Sequence, residues 1–455
     1  MRVITYGTFD LFHEGHRRLL ERAKALGDEL IVGVTSSSYD DSRGKLNVHQ
    51  PLLARIRNVE ESGLADQIIV EEYEGQKIHD IQKLGVDIFA IGSDWLGAFD
   101  YLKDYCQVVY LERTKGVSST QLRNESAGGV LKLGVVGAGR IADRFVNEAR
   151  YVSGVNVEGV WSRRFDSAEV FAERHELARA HRNFDDLLAT VDALYIASPH
   201  GSHAEYARRA LNRGVHVLCE KPLTLVAEQA RELFALAEER GLVLLEAIKT
   251  AFSPGFQRMI AIARMGEIGT VRSVEATFTK LVSAGREYDP ADGGSVSELA
   301  SYPLLAIIKL LGVDFVDLRA SSLRPKNAAV ETFTKIDLTY PQAVATARTG
   351  IGVKSKGELI VAGTEGYLYV PAPWWKTEYF ETRFEDPARA RRYYSRFEGD
   401  GLRYELAEFV SMIRAGDVQS FKLRPSESIA IAEIIEAVRR DSVPFGVAQR
   451  PFDSS

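Results

Sequence analysis

The chain has only two cysteines in 455 residues, Cys106 and Cys219, far apart in apolar stretches. A disulfide framework is therefore excluded, and a reducing, cytoplasmic setting is the expectation. No apolar run approaches the ~20 residues that cross a bilayer, so membrane insertion is not expected. The first residues, "MRVITYG", open a strand and lack the basic-then-apolar pattern of a secretory leader. Positive charge is not in excess either: the formal net charge is −6, which argues against nucleic acid as a partner. Low-complexity tracts and short-period repeats are missing. What is present, 45% hydrophobic and 26% charged residues, is ordinary for a globular protein. The length suggests about three domains.

Hydrophobic periodicity divides the chain. Residues 1–126 alternate short apolar runs, such as "RVITY", "ELIVGV" and "DIFAIG", with helical patterns. In "HEGHRRLLERAKAL", Leu19, Leu20, Ala23 and Leu26 share one face. That order predicts βαβ units and a parallel sheet. "NESAGG" at 124–129 reads as a linker. "VLKLGVVG" opens a second alternating unit over 127–250. Over 251–455 the runs lengthen and take period two, as in "GTVRSVEATFTKL" and "ETFTKIDLTY", with helices at about 402–415 and 426–440. These predict an α+β domain with a large open, mostly antiparallel sheet. The fold class is α/β throughout the first two domains.

At the end of the first strand stands "GTFDLFHEGH", residues 7–16. Ligands of α/β sheets bind at the carboxyl ends of strands, and a helix N-terminus there cradles phosphate. His13 and His16 can converge on one phosphate and stabilise charge that builds on it during in-line attack. By spacing alone the pair also suits metal ligation or an exposed turn. Nearly all of 1–123 resembles the cytidylyltransferase family in its glycerol-3-phosphate branch. The motifs are "YGTFDLFHEGH", "RGK" at 43–45, "GQKIHDI" at 75–81, "IGSDWLGAFDYLKDYCQVVYLERT" and "KGVSSTQLR". The resemblance implies a Rossmann-like HxGH nucleotidyltransferase fold that takes CTP, with Mg²⁺, and a polyol phosphate. The products would be a CDP-polyol and pyrophosphate. It places Thr8, Phe9, His13 and His16 at the CTP phosphates. Arg113, Gly116, Ser118, Ser119 and Thr120 would contact cytidine and phosphates, and Asp94 and Trp95 would shape the nucleotide pocket. Lys45 and Lys77 would neutralise the phosphates of CTP and of the polyol phosphate. No dedicated protein ligands for the metal are implied. Ser93 stands where the family has a second acid, and Tyr73-Glu74-Gly75 where it has a tryptophan. Both departures leave the acceptor open.

"LKLGVVGAGRIADRF" is a strand, a GxGxxA turn and a helix. Gly137 makes the turn, and Gly139 lets the backbone, with Arg140 and Ile141, approach a pyrophosphate; Ala142 takes the third glycine's place. The next strand ends in Ser162-Arg163-Arg164, where hydroxyl and guanidinium suit a 2′-phosphate. NADP(H) is therefore preferred, with NAD(H) and a merely solvated loop left open. "LYIASPHGSHAEYARRALNRGVHVLCEKPL" and "GGSVSELASYPL" resemble the Gfo/Idh/MocA oxidoreductase family over 131–440. That family is named for glucose–fructose oxidoreductase and inositol dehydrogenase. The resemblance implies Ser198, Pro199, His203, Glu220 and Lys221 at the cofactor, and Glu298 and Tyr302 at the substrate. Glu298 stands where the family more often has Asp. Lys221 is expected to lower the pKa of Tyr302 and polarise a carbonyl, with Tyr302 as general acid in reduction. Tyr302 as a plain core aromatic stays open. "RARRYYSR" at 389–396 reads as a lid over an anion or a solvated face, and Trp374 and Trp375 as packing or a dimer contact.

The two resemblances combine. A reductase would turn a keto-sugar phosphate into an alditol phosphate, and the transferase would activate that product with CTP. Dihydroxyacetone phosphate, a tetrulose phosphate and ribulose 5-phosphate are candidate substrates. CDP-alditols feed teichoic-acid-like and capsular polymers, and both families imply a homodimer. Action of the second domain on the CDP-linked product, or a non-catalytic NADP(H)-binding or dimerisation module, stays open.

Overall fold

The computed structural model describes residues 1–10, 12, 14–36, 39–40, 48, 50–73, 75–112 and 130–440. They form two compact units, 1–132 with 148–156, and 133–147 with 157–455.

The first unit is built on β1 (Arg2–Gly7), β2 (Glu29–Thr35), β3 (Gln67–Glu71), β4 (Ile88–Gly92) and β5 (Gln107–Leu111). All ladders are parallel, in the order β3-β2-β1-β4-β5. Consecutive residues Val3 and Ile4 enter separate cores on the two faces, which is why the strands read as unbroken apolar runs. Strand order reverses between β1 and β4, so a crevice opens beyond Gly7 and Gly92. The helix Glu14–Lys24 begins beside it and buries Leu20 and Ala23.

A charged knot holds this edge. Arg55, on the helix Leu52–Glu61, is fully buried. One terminal nitrogen donates to the carbonyls of Thr8 (2.7 Å) and Thr35 (2.9 Å) and meets Asp40 Oδ2 at 3.3 Å. The hydroxyls of Thr8 and Thr35 donate to Asp40 Oδ1 at 3.1 and 2.7 Å. The carboxyl ends of β1 and β2 are thus tied to one buried ion pair.

In the second parallel sheet, which lies mostly in the second unit, β6 (Leu131–Val136), β7 (Val155–Trp161), β8 (Arg179–His181), β9 (Ala193–Ile196), β10 (His216–Glu220) and β11 (Leu244–Ala247) line up as β11-β10-β9-β6-β7-β8. Parallel ladders join β6 to β9, β9 to β10 and β10 to β11. Here the order reverses at β6, directly before Gly137. The remaining sheet has eight strands: β12 (Val271–Thr279), β13 (Asp317–Leu323), β14 (Phe333–Thr339), β15 (Val344–Gly350), β16 (Leu359–Gly363), β17 (Gly366–Val370), β18 (Tyr379–Phe384) and β19 (Arg391–Tyr394). Their order is β13-β14-β15-β12-β16-β17-β18-β19, antiparallel except where β12 meets β15. The helix Ser301–Leu311 is apolar nearly all round, as a helix buried against this sheet must be. Helices Leu402–Ala415 and Pro425–Arg440 follow. Trp374 is fully buried and donates to the Thr277 carbonyl at 2.9 Å, so it is core. Most of β19 is exposed at the sheet's edge. Among the described residues no helix is long and apolar enough to cross a membrane.

Removing Arg55 leaves Asp40 buried without its counter-charge, which costs about 3–5 kcal/mol. Arg55→Ala is expected to lower the thermal midpoint of the first unit, read as its loss of protease resistance after brief heating, while the second unit keeps its wild-type heat resistance.

Candidate active sites

Thr8 and Phe9 lie on the crevice of the first unit. Phe9 holds φ +51° and buries its ring, a conformation costly for a residue with a side chain. That ring meets His16 edge-on at 5.4 Å, and Phe12 meets it at 5.6 Å. His16 is thereby fixed in the first turn of its helix, where N–H groups and the helix dipole favour an anion. Trp95 lies in the turn Ser93–Trp95 beyond β4, 38% exposed, with its ring 5.8 Å from Phe99. His13, Lys45, Arg113, Gly116, Ser118, Ser119, Thr120 and the Asp94 side chain lie outside the described residues. Lys77 differs from expectation. It is buried, paired with Glu71 at the end of β3, and its ammonium stands over the Tyr6 ring at 4.6 Å. A charge so committed holds β3 to the helix Gln76–Leu84. Sequence reading missed Arg55 and Asp40, because nothing near either position marks an ion pair.

The second unit offers a dinucleotide cradle. Gly137 has φ +104°, and a Cβ there would lie 2.7 Å from the Ala197 carbonyl. Beside Gly139 there is open space. The helix Arg140–Ala149 starts at once, with Ile141 in its first turn. Ser162, Arg163 and Arg164 follow β7, both arginines exposed. The residues therefore fit a phosphorylated dinucleotide. Ser198, Pro199 and the turn His200–Ser202 extend from the end of β9, pinned by Ser202 Oγ, 2.8 Å from Ser198 Oγ and 2.7 Å from the Pro199 carbonyl.

Lys221 follows β10 and donates to the main-chain carbonyl of Glu298 at 2.9 Å. Its ammonium is 5.8 Å from the Tyr302 ring centre. Burial lowers the Lys221 pKa against the opposing pull of Glu298 and Glu220. Burial, reinforced by Glu220, Glu405, Glu298 and Asp400, drives the Tyr302 hydroxyl well above its ordinary range. The lowering of the Tyr302 pKa expected from Lys221 is not seen: burial first, and then the neighbouring acids, raise that hydroxyl.

Glu298, expected at the substrate, is held by three neighbours. One carboxylate oxygen lies 3.1 Å from His200 Nε2 and 3.2 Å from Arg286, with Lys280 3.9 Å from the other. Its pKa is well lowered, because the His200 contact and the charges of Lys221 and Arg286 overcome its burial. Burial pushes His200 down to about 3, so its ring stays neutral. His203, expected at the cofactor, is fully buried with its two ring nitrogens 2.9 Å from the carbonyls of Pro222 and Ser198. No ring edge is left for a ligand; it joins the β9 turn to the Lys221 turn. Glu220 accepts from the Tyr195 hydroxyl at 2.6 Å and is held toward protonation by burial, so its side chain also faces inward. The loop from 280 closes over the cradle: Glu287 bridges Lys280 (3.0 Å) and Arg140 (3.3 Å), and Asp292 accepts from Gly201 N–H at 3.1 Å. Arg286 and Glu287 carry no local sequence signal.

Comparison with known proteins follows these divisions. Residues 4–125 match the cytidylyltransferase-like family, 131–247 the oxidoreductase family with an NAD-binding Rossmann fold, and 256–369 the GFO/IDH/MocA C-terminal domain. Glycerol-3-phosphate cytidylyltransferase of Bacillus spizizenii is 50% identical over 126 residues, 28% of this chain and 97% of that protein. Trans-1,2-dihydrobenzene-1,2-diol dehydrogenase of Sus scrofa is 29% identical over 324 residues, 68% of this chain and 96% of that one. A solved 3-ketoreductase from Actinomadura kijaniata, in complex with NADP and TDP-benzene, shares 26% identity at a TM-score of 0.61, covering 68% of this chain and 97% of that one.

The His200 pKa of about 3 lies below the ~6.5 of an unfolded histidine. The unfolded chain binds that proton first, so stability falls as pH drops through this window. From pH 7 to 5, where Glu298 stays mostly ionised in both states, the thermal midpoint of His200→Asn is expected to fall less than that of the wild type. Equal falls would remove His200 from the account.

Proposed function

This chain belongs to the cytidylyltransferase-like family in its first domain and to the GFO/IDH/MocA oxidoreductases in the remainder, and from that premise we propose that it makes a CDP-polyol in two steps. The second unit reduces a keto-sugar phosphate to an alditol phosphate with NADPH. The first unit then joins that product to CTP and releases pyrophosphate. The observation that carries the reading is coverage: 97% of a curated transferase and 96% of a curated dehydrogenase lie on one chain. The product of a carbonyl reduction is the hydroxyl compound whose phosphate a cytidylyltransferase consumes.

In the transferase step a phosphate oxygen of the alditol phosphate attacks the α-phosphorus of CTP in line, and the bond to pyrophosphate breaks. His16 donates an N–H to the charge that builds on the α-phosphate, and His13 and Lys45 serve the same charge. The Arg55–Asp40 knot keeps Thr8 and Phe9 from shifting as that charge develops. In the reduction, NADPH when bound supplies the hydride. Gly139, Ser162, Arg163 and Arg164 hold its phosphates, and the two exposed guanidiniums after β7, suited to a 2′-phosphate, support NADPH over NADH. Lys221 polarises the carbonyl oxygen. With its pKa lowered by burial it is also the better matched proton donor, while the neutral Tyr302 hydroxyl orients that oxygen.

A second reading takes its support from the TDP-benzene complex of the ketoreductase relative: the second unit would act on the CDP-linked product. A panel of three- to five-carbon keto-sugar phosphates, followed for NADPH loss and pyrophosphate release together, separates the two. Reduction first predicts NADPH loss without CTP, and pyrophosphate only when NADPH is present. The second reading predicts NADP⁺ reduction or NADPH loss only with the purified CDP compound.

His16→Ala is expected to slow CDP formation about 10²–10⁴-fold and leave NADPH oxidation intact. Lys221→Met is expected to do the converse, with kcat/KM for NADPH oxidation down by about 10²-fold or more. Full reductase turnover in Lys221→Met would remove that residue from the chemistry.

A further inference from the structure

β11 carries an acid in an apolar run: Leu244 and Leu245 precede Glu246, Ala247 follows it, and all four are buried. In the parallel ladder Glu246 stands opposite Cys219 of β10, two residues before Lys221. Its side chain therefore lies on the sheet face where Cys219, Leu244 and Leu223 share one core. A carboxyl group in such a place is costly unless it is hydrogen-bonded. Its Oε1 accepts from the Leu223 N–H at 2.9 Å. Its Oε2 lies near the Ser428 hydroxyl of the helix Pro425–Arg440, and both oxygens are buried without a closed hydrogen bond among the described residues. Burial raises the Glu246 pKa to about 7, against the pull of Ser428, the Leu223 N–H and Lys221, and with the help of Glu220. Near neutral pH much of this group is thus the uncharged acid.

The turn after Lys221 is held from two sides. Glu246 takes the Leu223 N–H, and His203 Nδ1 lies 2.9 Å from the Pro222 carbonyl. The Leu223 side chain is buried in the same core. Both fixed points lie within two residues of Lys221. The Lys221 ammonium then reaches the Glu298 carbonyl at 2.9 Å and stands 5.8 Å from the Tyr302 ring centre. A long, flexible lysine side chain is aimed only as well as its main chain is fixed.

We propose that Glu246 is a positioning residue of the reductase: its Oε1 holds the Leu223 N–H and thereby sets where Lys221 delivers its ammonium. The inference rests on the reading that Lys221 serves carbonyl reduction. What the role requires is the length of the side chain and its accepting oxygen, not its charge.

The test uses full chains with Glu246→Gln and Glu246→Asp, each alone and combined with Lys221→Met. Glutamine keeps the length and the accepting oxygen, and its amide N–H can donate to Ser428. Aspartate keeps the acid but withdraws the oxygen from Leu223 by one methylene. On the keto-sugar phosphate that the wild type reduces, Glu246→Asp should lose about 10- to 100-fold in kcat with KM for NADPH little changed, as a small misplacement of a reacting group does. Glu246→Gln should stay within about threefold of the wild type, because the accepting oxygen remains. Added to Lys221→Met, Glu246→Asp should cost no more than about twofold, because the group it positions is gone. Full turnover in Glu246→Asp, an equal loss in Glu246→Gln, or the same loss with and without Lys221 overturns the inference. Where Glu246→Asp is too unstable to assay, Glu246→Met, which fills the space and removes the acceptor, takes its place with the same expectations. If the wild type reduces no carbonyl compound, or Lys221→Met keeps full turnover, the functional reading fails, and crystal structures of the wild type and the variant decide about Glu246 alone. Lys221 Nζ displaced from the Glu298 carbonyl in the variant then upholds the positioning role; an unmoved ammonium removes it.

Discussion

A charge taken out of water must meet another charge or a set of donors, and both active edges of this chain are organised by that requirement. In the first unit Arg55 and Asp40 are fully buried together, and the hydrogen bonds left over fasten the last residues of β1 and β2. In the second, Glu298 gathers His200, Arg286 and Lys280 with its carboxylate, while its main-chain carbonyl receives Lys221. Each fixes the main chain or side chain at the carboxyl end of a strand.

The parallel sheets supply the place where such knots are useful. In both, the strand order reverses at the first strand, and the side chains that follow its carboxyl end face a crevice. Gly137 and Phe9 occupy equivalent points after β6 and β1, both at positive φ. Glycine adopts that backbone freely, whereas Phe9 does so under the restraint of a packed ring. The eight-stranded sheet contributes differently. It carries the helix Ser301–Leu311 against its face and sends the loop from 280 back over the dinucleotide cradle, where Glu287 meets Arg140 and Asp292 meets Gly201.

Much of this was legible from local pattern. Apolar runs, the GxGxxA turn and the HxGH stretch each depend on neighbours a few residues apart, and the helices expected near 402–415 and 426–440 form at Leu402–Ala415 and Pro425–Arg440. The positions of Thr8, His16, Gly137 and Lys221 at strand ends follow from the same order of elements. Roles that hinge on burial were not legible. Lys77 and His203 carry the right chemistry for phosphate or cofactor, yet both spend it on the protein itself, on Glu71 in one case and on two carbonyls in the other. Tyr302 stands beside the expected lysine, but burial first, and then acids from distant segments, raise its proton affinity.

The sequence by itself determined the two parallel sheets, the switch to a largely antiparallel sheet and the turns that receive phosphate, because these are fixed by periodicity and by residues adjacent in the chain. Only the tertiary structure decided which charged side chains are spent and which remain for a ligand. Arg55 lies 15 residues from Asp40, and Lys221 lies 77 from Glu298. Pairings over such separations arise from how helices and sheets pack, and burial then sets what each charge costs.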